Sequence, residues 1–531
     1  MKSHELCNTK RKRAWSELSV CLIGVLSALS GCGESPTLPA SADVEDLERQ
    51  GAASVYGKHV PVILVVMDAL DANHVTHLGY ERDTTPNMDG FAKDGVSFRA
   101  AFSPAPYTVA GIGALLSGRR PDTTGLYTKL NMLRDDEQTI ASLLSRHEYK
   151  TRALVSNPNG GMRFGALRGF DEVSPLYEAA DGAEPNFTTR DGVPVHLPQA
   201  KEHLPLMRAF LDEVPEGKPF FFYSHMLEPH SPYVADEPFR SKYLDPNYDG
   251  PFLRGDTDDL LDTVYGRVEA SPEDRVAINA LYDGHLAFAD DSFGHLMDDL
   301  KARGLYDKSL IILTGDHGEA MFQHDRWGHN DQIYDEMVHV PLLIKLPGSE
   351  GPRNLVLDGL VSTMDILPTI CESLDIPAGD LALDGKSIYE ELVTGLSSPE
   401  DRGLFLRTHH SKPDVGLRTL TGKGIFLQSE EGGAVFKYFD LVKDPGEVNN
   451  QGASNTPEAK AMRKAILDEL IRVKRSRRTA LRNDNAEDDE ATLSALGYTD
   501  EVNAAGASQD LEVDPFEGML PDPLKDANPN D

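Results

Sequence analysis

The chain is poor in several things that would assign a function at once. It carries four cysteines in 531 residues, Cys7, Cys21, Cys32 and Cys371, too few for a disulfide scaffold or a thiolate-rich metal site. Basic residues are scarce: 52 lysines and arginines stand against 86 aspartates and glutamates, a formal charge of −34. A surface of that sign repels nucleic acid and anionic headgroups, so no nucleic-acid partner is expected. Internal repeats are missing, which argues against a solenoid or propeller. The apolar stretch near the start, Val20 to Leu29, is too short to span a bilayer.

What is present begins with a processing signal. A basic cluster, Lys10 to Arg13, precedes that apolar stretch and then Leu29-Ser30-Gly31-Cys32, which resembles a bacterial lipoprotein signal. A plain secretory signal is the competing reading. The resemblance implies cleavage before Cys32, lipidation of Cys32 and a protein anchored to a membrane of the cell envelope, outside the cytoplasm. Loss of residues 1–31 would remove five basic and two acidic side chains and take the formal charge from −34 to −37. Residues 32–59, rich in Ser, Ala, Pro and acid, read as a flexible tether.

A chain of this length exceeds one usual hydrophobic core, so a large domain with a smaller appendage is expected. Val60 to Met67 is an apolar run of strand length ending at Asp68, and further strand candidates are Thr151–Ser156, Phe220–Ser224, Leu310–Leu313 and Val340–Leu346. Helical periodicity lies between them, at Gly111–Leu116, Gln138–Arg146, Leu204–Val214, Ala277–Arg303 and Thr363–Leu374. Alternation of this kind predicts an α/β domain over 60–400, a mostly parallel sheet with helices on both faces. Over 401–482 shorter alternating runs broken by glycine predict a small antiparallel sheet followed by a helix from Pro457 to about Arg478, and 483–531 is an acidic tail expected to be mostly disordered.

Strand carboxyl ends converge in an open α/β sheet, so Asp68 and Asp316, each closing an apolar run, are expected at one crevice. His317 adjoins Asp316, and the three form a carboxylate/imidazole set for a divalent metal. Alone, either aspartate reads as a cap or turn residue. Thr108 opens the helix-like run after Ala105-Pro106-Tyr107. On its own it reads as a helix N-cap; beside a metal the same hydroxyl becomes a nucleophile. Phe221 to Tyr233 ends another strand in His225 and His230, and His324 and His329 follow Asp316-His317-Gly318-Glu319. Two histidines on one strand exit favour binding of anionic oxygens or protonation of a leaving group.

Taken together, Val65-Val66-Met67-Asp68-Ala69-Leu70, Thr84-Thr85-Pro86-Asn87-Met88-Asp89, His225 through Tyr233, Asp316-His317-Gly318-Glu319, Trp327-Gly328-His329 and Leu496-Gly497-Tyr498 make the chain resemble the sulfatase family of the alkaline phosphatase superfamily. The resemblance implies that family's α/β fold, hydrolysis of a sulfate or phosphate ester, and a divalent metal held by Asp68, Asp316, His317 and Thr108. Ca2+, Mg2+ or Mn2+ suit the oxygen ligands, and the histidines keep Zn2+ open. His230 and His329, with His225 as a weaker third, are expected to bind the ester or protonate the leaving group.

The departures from that family bear on the substrate. Sulfatases use a Cys or Ser in a Cys/Ser-x-Pro-x-Arg setting, converted to formylglycine. Here Thr108, Ala110 and Ile112 occupy those positions, Ala69 stands where relatives carry another metal carboxylate, Asp71 replaces an arginine and His329 a lysine. Threonine cannot become formylglycine, so the expected chemistry is attack by Thr108 itself. Alternatives are a phosphodiesterase or phospho-group transferase acting on an envelope glycan or lipid, and a binding protein without turnover.

Overall fold

The structure is a computed structural model that describes residue 57 and residues 59–482, except 179–183, 190–191, 330, 349–350, 380, 399–401, 409–412, 429–433 and 477–480. The expected signal segment, Cys32, the tether up to residue 56 and the tail from 483 lie outside the described residues.

The main sheet has eight strands: β1 (Val62–Met67), β2 (Val96–Phe102), β3 (Lys150–Val155), β4 (Glu172–Pro175), β5 (Phe220–Met226), β6 (Leu310–Gly315), β7 (Leu342–Lys345) and β8 (Leu355–Ser362). Their order across the sheet is β8-β2-β7-β6-β1-β5-β3-β4. All pairings are parallel except those of β7, which runs antiparallel to both β6 and β2. The chain returns from β6 to β7 through residues 316–341 with no long crossover helix of the kind that usually joins parallel neighbours.

Burial on both faces explains the unbroken apolar runs. Val62, Leu64 and Val66 of β1 enter one core and Ile63, Val65 and Met67 the other, as the two-residue period of a strand requires. Helices Thr108–Ser117, Ile140–Arg146 and Ile366–Ser373 cover the first face, and Pro86–Ala92, His203–Glu213 and Pro272–Ala302 the second. The last of these begins five residues before the apolar periodicity predicts. The Ser271 hydroxyl accepts from Asp274 N–H, and Pro272 and two acids fill the first turn, all favourable at a helix start. Strands β2 and β8 were not expected. Arg99 and Asp358 interrupt their apolar runs and pair with each other at 2.9 Å on the exposed side.

Beyond β8 the chain forms a four-stranded antiparallel sheet, Leu404–Arg407, Val415–Arg418, Gly422–Gln428 and Ala434–Asp440, with helix Pro457–Ser476 packed on it. Leu404, Leu406, Ile425 and Phe439 share a separate core with Phe102, Ile333, Tyr334 and Leu360. No helix among the described residues is long and apolar enough to cross a membrane.

Candidate active site

The register of three adjacent strands builds the site. Met67 lies opposite Gly315 in β6 and Met226 in β5. The next residues of β1 and β6, Asp68 and Asp316, therefore leave the sheet side by side, and His225 sits level with Val66 and Val155. Asp68, Asp316, His317 and His225 are all fully buried. One ligand atom from each of Asp68, Asp316 and His317 falls within 4.8 Å of the others.

Each carboxylate has one oxygen occupied and one bare. The Oδ1 atom of Asp316 accepts from the backbone N–H groups of Ala69 and His317, at 3.1 and 2.9 Å. The backbone of Ala69 is left-handed, with φ 59°, a strained conformation for a residue with a Cβ. The Oδ2 atom of Asp68 accepts from Asn157 Nδ2 at 2.6 Å. The remaining oxygens, Asp68 Oδ1 and Asp316 Oδ2, are buried without a hydrogen bond and lie 3.5 and 3.6 Å from His317 Nε2. Nδ1 of His317 faces the carbonyl of Gly318 at 2.8 Å; that oxygen can only accept, so Nδ1 carries the hydrogen and Nε2 turns its lone pair inward.

Burial, and next the charge of Asp68, push the Asp316 carboxyl far above its ordinary range. Burial also acts on Asp68, but His230, His225 and His317 hold it below its ordinary value. Burial, then His329, keeps His317 neutral well below its usual pKa. Two buried acids that repel, two bare oxygens and a neutral imidazole lone pair converging on one point fit a divalent cation, and the set is oxygen- and imidazole-based with no thiolate.

Thr108 is not the N-cap that its position alone suggests. Tyr107 is the cap and Thr108 the first helical residue, with every residue of its helix buried. Its hydroxyl lies 3.2 Å from His317 Nε2, at the end of a helix whose orphan N–H groups favour an anion. This approach depends on Gly111, where a Cβ would meet the Asp316 carbonyl oxygen at 2.5 Å.

The other predicted histidines divide. His329 and His230 join the cluster: the His329 ring centroid is 4.3 Å from that of His317 and 5.0 Å from that of His230. Nδ1 of His329 contacts Glu319 Oε1 at 2.9 Å, and Nδ1 of His230 contacts the Ser231 carbonyl. His225 Nε2 is 3.4 Å from Asp68 Oδ2 and 3.9 Å from Asp316 Oδ2. Its ring fits because residue 160 is glycine, where a Cβ would lie 2.5 Å from His225 Nδ1. His324 does not join. It stacks on Tyr334 at 3.7 Å, with Nδ1 2.7 Å from Glu336 Oε1 and Nε2 3.1 Å from the Glu447 carbonyl.

Two residues of the site escaped the sequence reading. Glu319 is fully buried against His329, and burial pushes its carboxyl up to about 8. Asn157 is fully buried two residues after β3. The strand-exit argument that singled out Asp68 and Asp316 reaches it equally, but only if amides are considered beside acids.

A family model described as Sulfatase matches residues 61–376. The chain is 25% identical over 401 residues to an ulvan-active sulfatase of Formosa agariphila, covering 70% of this chain and 74% of that one. It is 27% identical over 437 residues to an endo-4-O-sulfatase of Bacteroides thetaiotaomicron, covering 69% and 80% respectively. In three dimensions it is similar to the phosphonate monoester hydrolase of Agrobacterium radiobacter, with TM-score 0.62, 21% identity, and coverage of 78% of this chain and 95% of that one.

Proposed function

The chain belongs to the sulfatase family, and from that premise we propose that it is a metal-dependent hydrolase of sulfate or phosphate esters with Thr108 as nucleophile. The observation that carries this is the Thr108 hydroxyl 3.2 Å from His317 Nε2, beside the bare oxygens of Asp68 and Asp316. Those four side chains would hold the ion. A bound divalent cation supplies Lewis-acid charge that lowers the pKa of an alcohol and offsets charge on ester oxygens.

The chain's own part follows from the geometry. The Thr108 hydroxyl passes its proton to a neighbouring imidazole, Oγ1 bonds to sulfur or phosphorus as the bond to the leaving oxygen breaks, and His230 or His329, protonated in this way, returns the proton to that oxygen. Water then cleaves the threonyl ester and restores the hydroxyl. His225 and the helix N-terminus at Thr108 add donors toward the ester oxygens.

Thr108 favours a second reading, in which the ester is a phosphodiester or phosphonate monoester, or the phospho group passes to an acceptor on an envelope glycan or lipid. A threonyl ester has no second hydroxyl on its Cβ through which to expel the group, so release requires a second attack on the central atom. Assays of the purified protein with aryl sulfate, aryl phosphodiester and aryl phosphonate, each with Mg2+, Mn2+, Ca2+ and Zn2+, rank these substrates. Thr108→Ala should lower turnover on the best substrate by on the order of 10³-fold or more while metal stays bound. Equal turnover by the variant would rule out Thr108 as nucleophile, and no turnover by the wild type on any ester would make the protein a binding module.

Attachment to the cell envelope through lipidated Cys32 belongs to the same proposal, supported by Leu29-Ser30-Gly31-Cys32 after a basic and apolar segment. Expressed in a bacterium, the wild type should sediment with membranes and Cys32→Ser should not. Equal sedimentation of both would sink the anchor.

A further inference from the structure

The two carboxylates of the cation site are restrained by different means. Asp316 keeps Oδ1 on two backbone amides, those of Ala69 and His317, which no side-chain substitution can remove. Asp68 has no such pair. Its Oδ2 is held most closely by one side-chain amide, Asn157 Nδ2 at 2.6 Å, while His225 Nε2 stands off at 3.4 Å. The orientation of the Asn157 amide is itself set, because its Oδ1 accepts from Asn159 N–H at 2.8 Å. Asn157 thus spends its oxygen on the turn and its NH2 on Asp68.

We infer that Asn157 is a positioning residue of the cation site, which holds Asp68 as a one-oxygen ligand and so selects a compact, imidazole-binding divalent ion of the Mn2+ or Zn2+ kind over Ca2+. This rests on the metal reading above and goes beyond it. With Oδ2 of Asp68 and Oδ1 of Asp316 both occupied, the chain offers one oxygen from each acid, one imidazole nitrogen from His317 and one hydroxyl from Thr108. Calcium takes about 6–8 oxygens and commonly uses bidentate carboxylates. Four donors including a nitrogen suit an ion with shorter bonds and affinity for imidazole. Asn157 donates without adding charge, so Asp68 keeps its full negative charge for the ion.

The full-length protein, stripped with a chelator, is titrated with Mn2+, Zn2+ and Ca2+ by calorimetry, and with Co2+ by its visible absorption. Wild type should bind Mn2+ or Zn2+ at least about 100-fold tighter than Ca2+, with the strong Co2+ bands of low coordination number. Asn157→Ser keeps an oxygen to cap the turn at Asn159 but withdraws the donor from Asp68. It should lose about 10- to 100-fold in Mn2+ or Zn2+ affinity, narrow the ratio to Ca2+ and weaken the Co2+ bands. Asn159→Ala, altered in the same turn, should match wild type, and thermal unfolding of the stripped proteins separates lost binding from lost folding. Asn157→Thr replaces the serine variant should that one fail to fold. An unchanged ratio and Co2+ spectrum in Asn157→Ser overturns the inference, as does wild type binding Ca2+ as tightly as Mn2+ and Zn2+. Wild type that binds none of the four ions overturns the metal reading itself.

Discussion

Two clusters of buried ionisable side chains differ in charge balance. The cluster around Asp68, Asp316 and Glu319 contains three acids and four histidines, and the charges that act most strongly on these acids are those of Asp68, His225, His230 and His317. Its carboxylates retain bare oxygens. The cluster around Asp335 is compensated. Lys423, fully buried, lies 2.8 Å from Asp335 Oδ1 and 3.0 Å from Glu447 Oε1, and Arg418 reaches Asp335 Oδ2 at 3.1 Å. Burial pulls the Lys423 ammonium down, yet Asp335 and Glu447 hold it above its ordinary pKa. Burying charge is unfavourable unless it is paired. The compensated cluster ties the small sheet to the helix Asp335–Val338, whereas the uncompensated one has the charge balance that the proposed cation would complete.

The largest effect should come from breaking the compensated cluster. Lys423→Met leaves Asp335 and Glu447 buried against each other, and loss of one partner of a buried pair costs about 3–5 kcal/mol. Urea unfolding should show this loss, while turnover per folded molecule stays near wild type. A stability change below about 1 kcal/mol would mean that the two clusters do not differ in kind.

Asp316→Asn should do the reverse. The native carboxyl is pushed far above its ordinary pKa by burial and then by Asp68. Folded metal-free protein therefore holds a proton there that the unfolded chain releases above about pH 4. Its stability falls as pH rises through that window, because the native state must either keep the proton or accept a second buried charge. The neutral amide has no such dependence. Stripped Asp316→Asn should thus be more stable than stripped wild type at pH 8, with the gap closing as pH falls toward about 4. Saturating cation should reverse the order, since only wild type gains the binding free energy. A gap that widened on acidification would refute the assignment of Asp316 as the strained member.

How much of this was legible in the sequence depends on whether local pattern or distant pairing carried the information. The runs ending at Asp68 and Asp316 are strands buried on both faces, and such runs announce themselves in sequence; their convergence follows from the parallel α/β pattern alone. Strands β2 and β8 were illegible because each is partly exposed and interrupted by a charge whose partner is some 260 residues away. Asn157 and Glu319 were missed for a related reason. An amide or a single glutamate becomes informative only when its partner is known, and those partners, Asp68 and His329, are set by strand register and by a short ladder. His324 is the converse case, a histidine at the expected spacing that tertiary contacts claim for packing.

The smallest predicted effect isolates the comparison best, because His324 and His329 are five residues apart on one antiparallel ladder, Ala320–Met321 with Trp327–Gly328. That ladder pairs Ala320 with Gly328, so Glu319 and His329 face each other one step further along, inside the site. His324 lies at the far turn, where Phe322, His324 and Asp325 all have positive φ, and it contacts Glu336 and the Glu447 carbonyl of the compensated cluster. Burial opposes its protonation, but Glu336 raises its pKa above the ordinary histidine value. A raised histidine contributes stability that is fully present below its unfolded pKa, about 6.5, and is lost as pH rises through the folded value. His324→Gln should therefore cost about 1 kcal/mol at pH 6 and less at pH 8.5, with turnover little changed. His329→Gln should lower turnover by about 10²-fold or more and leave unfolding nearly unaltered at both pH values. If the two variants exchanged these signatures, charge balance would not separate the working cluster from the structural one.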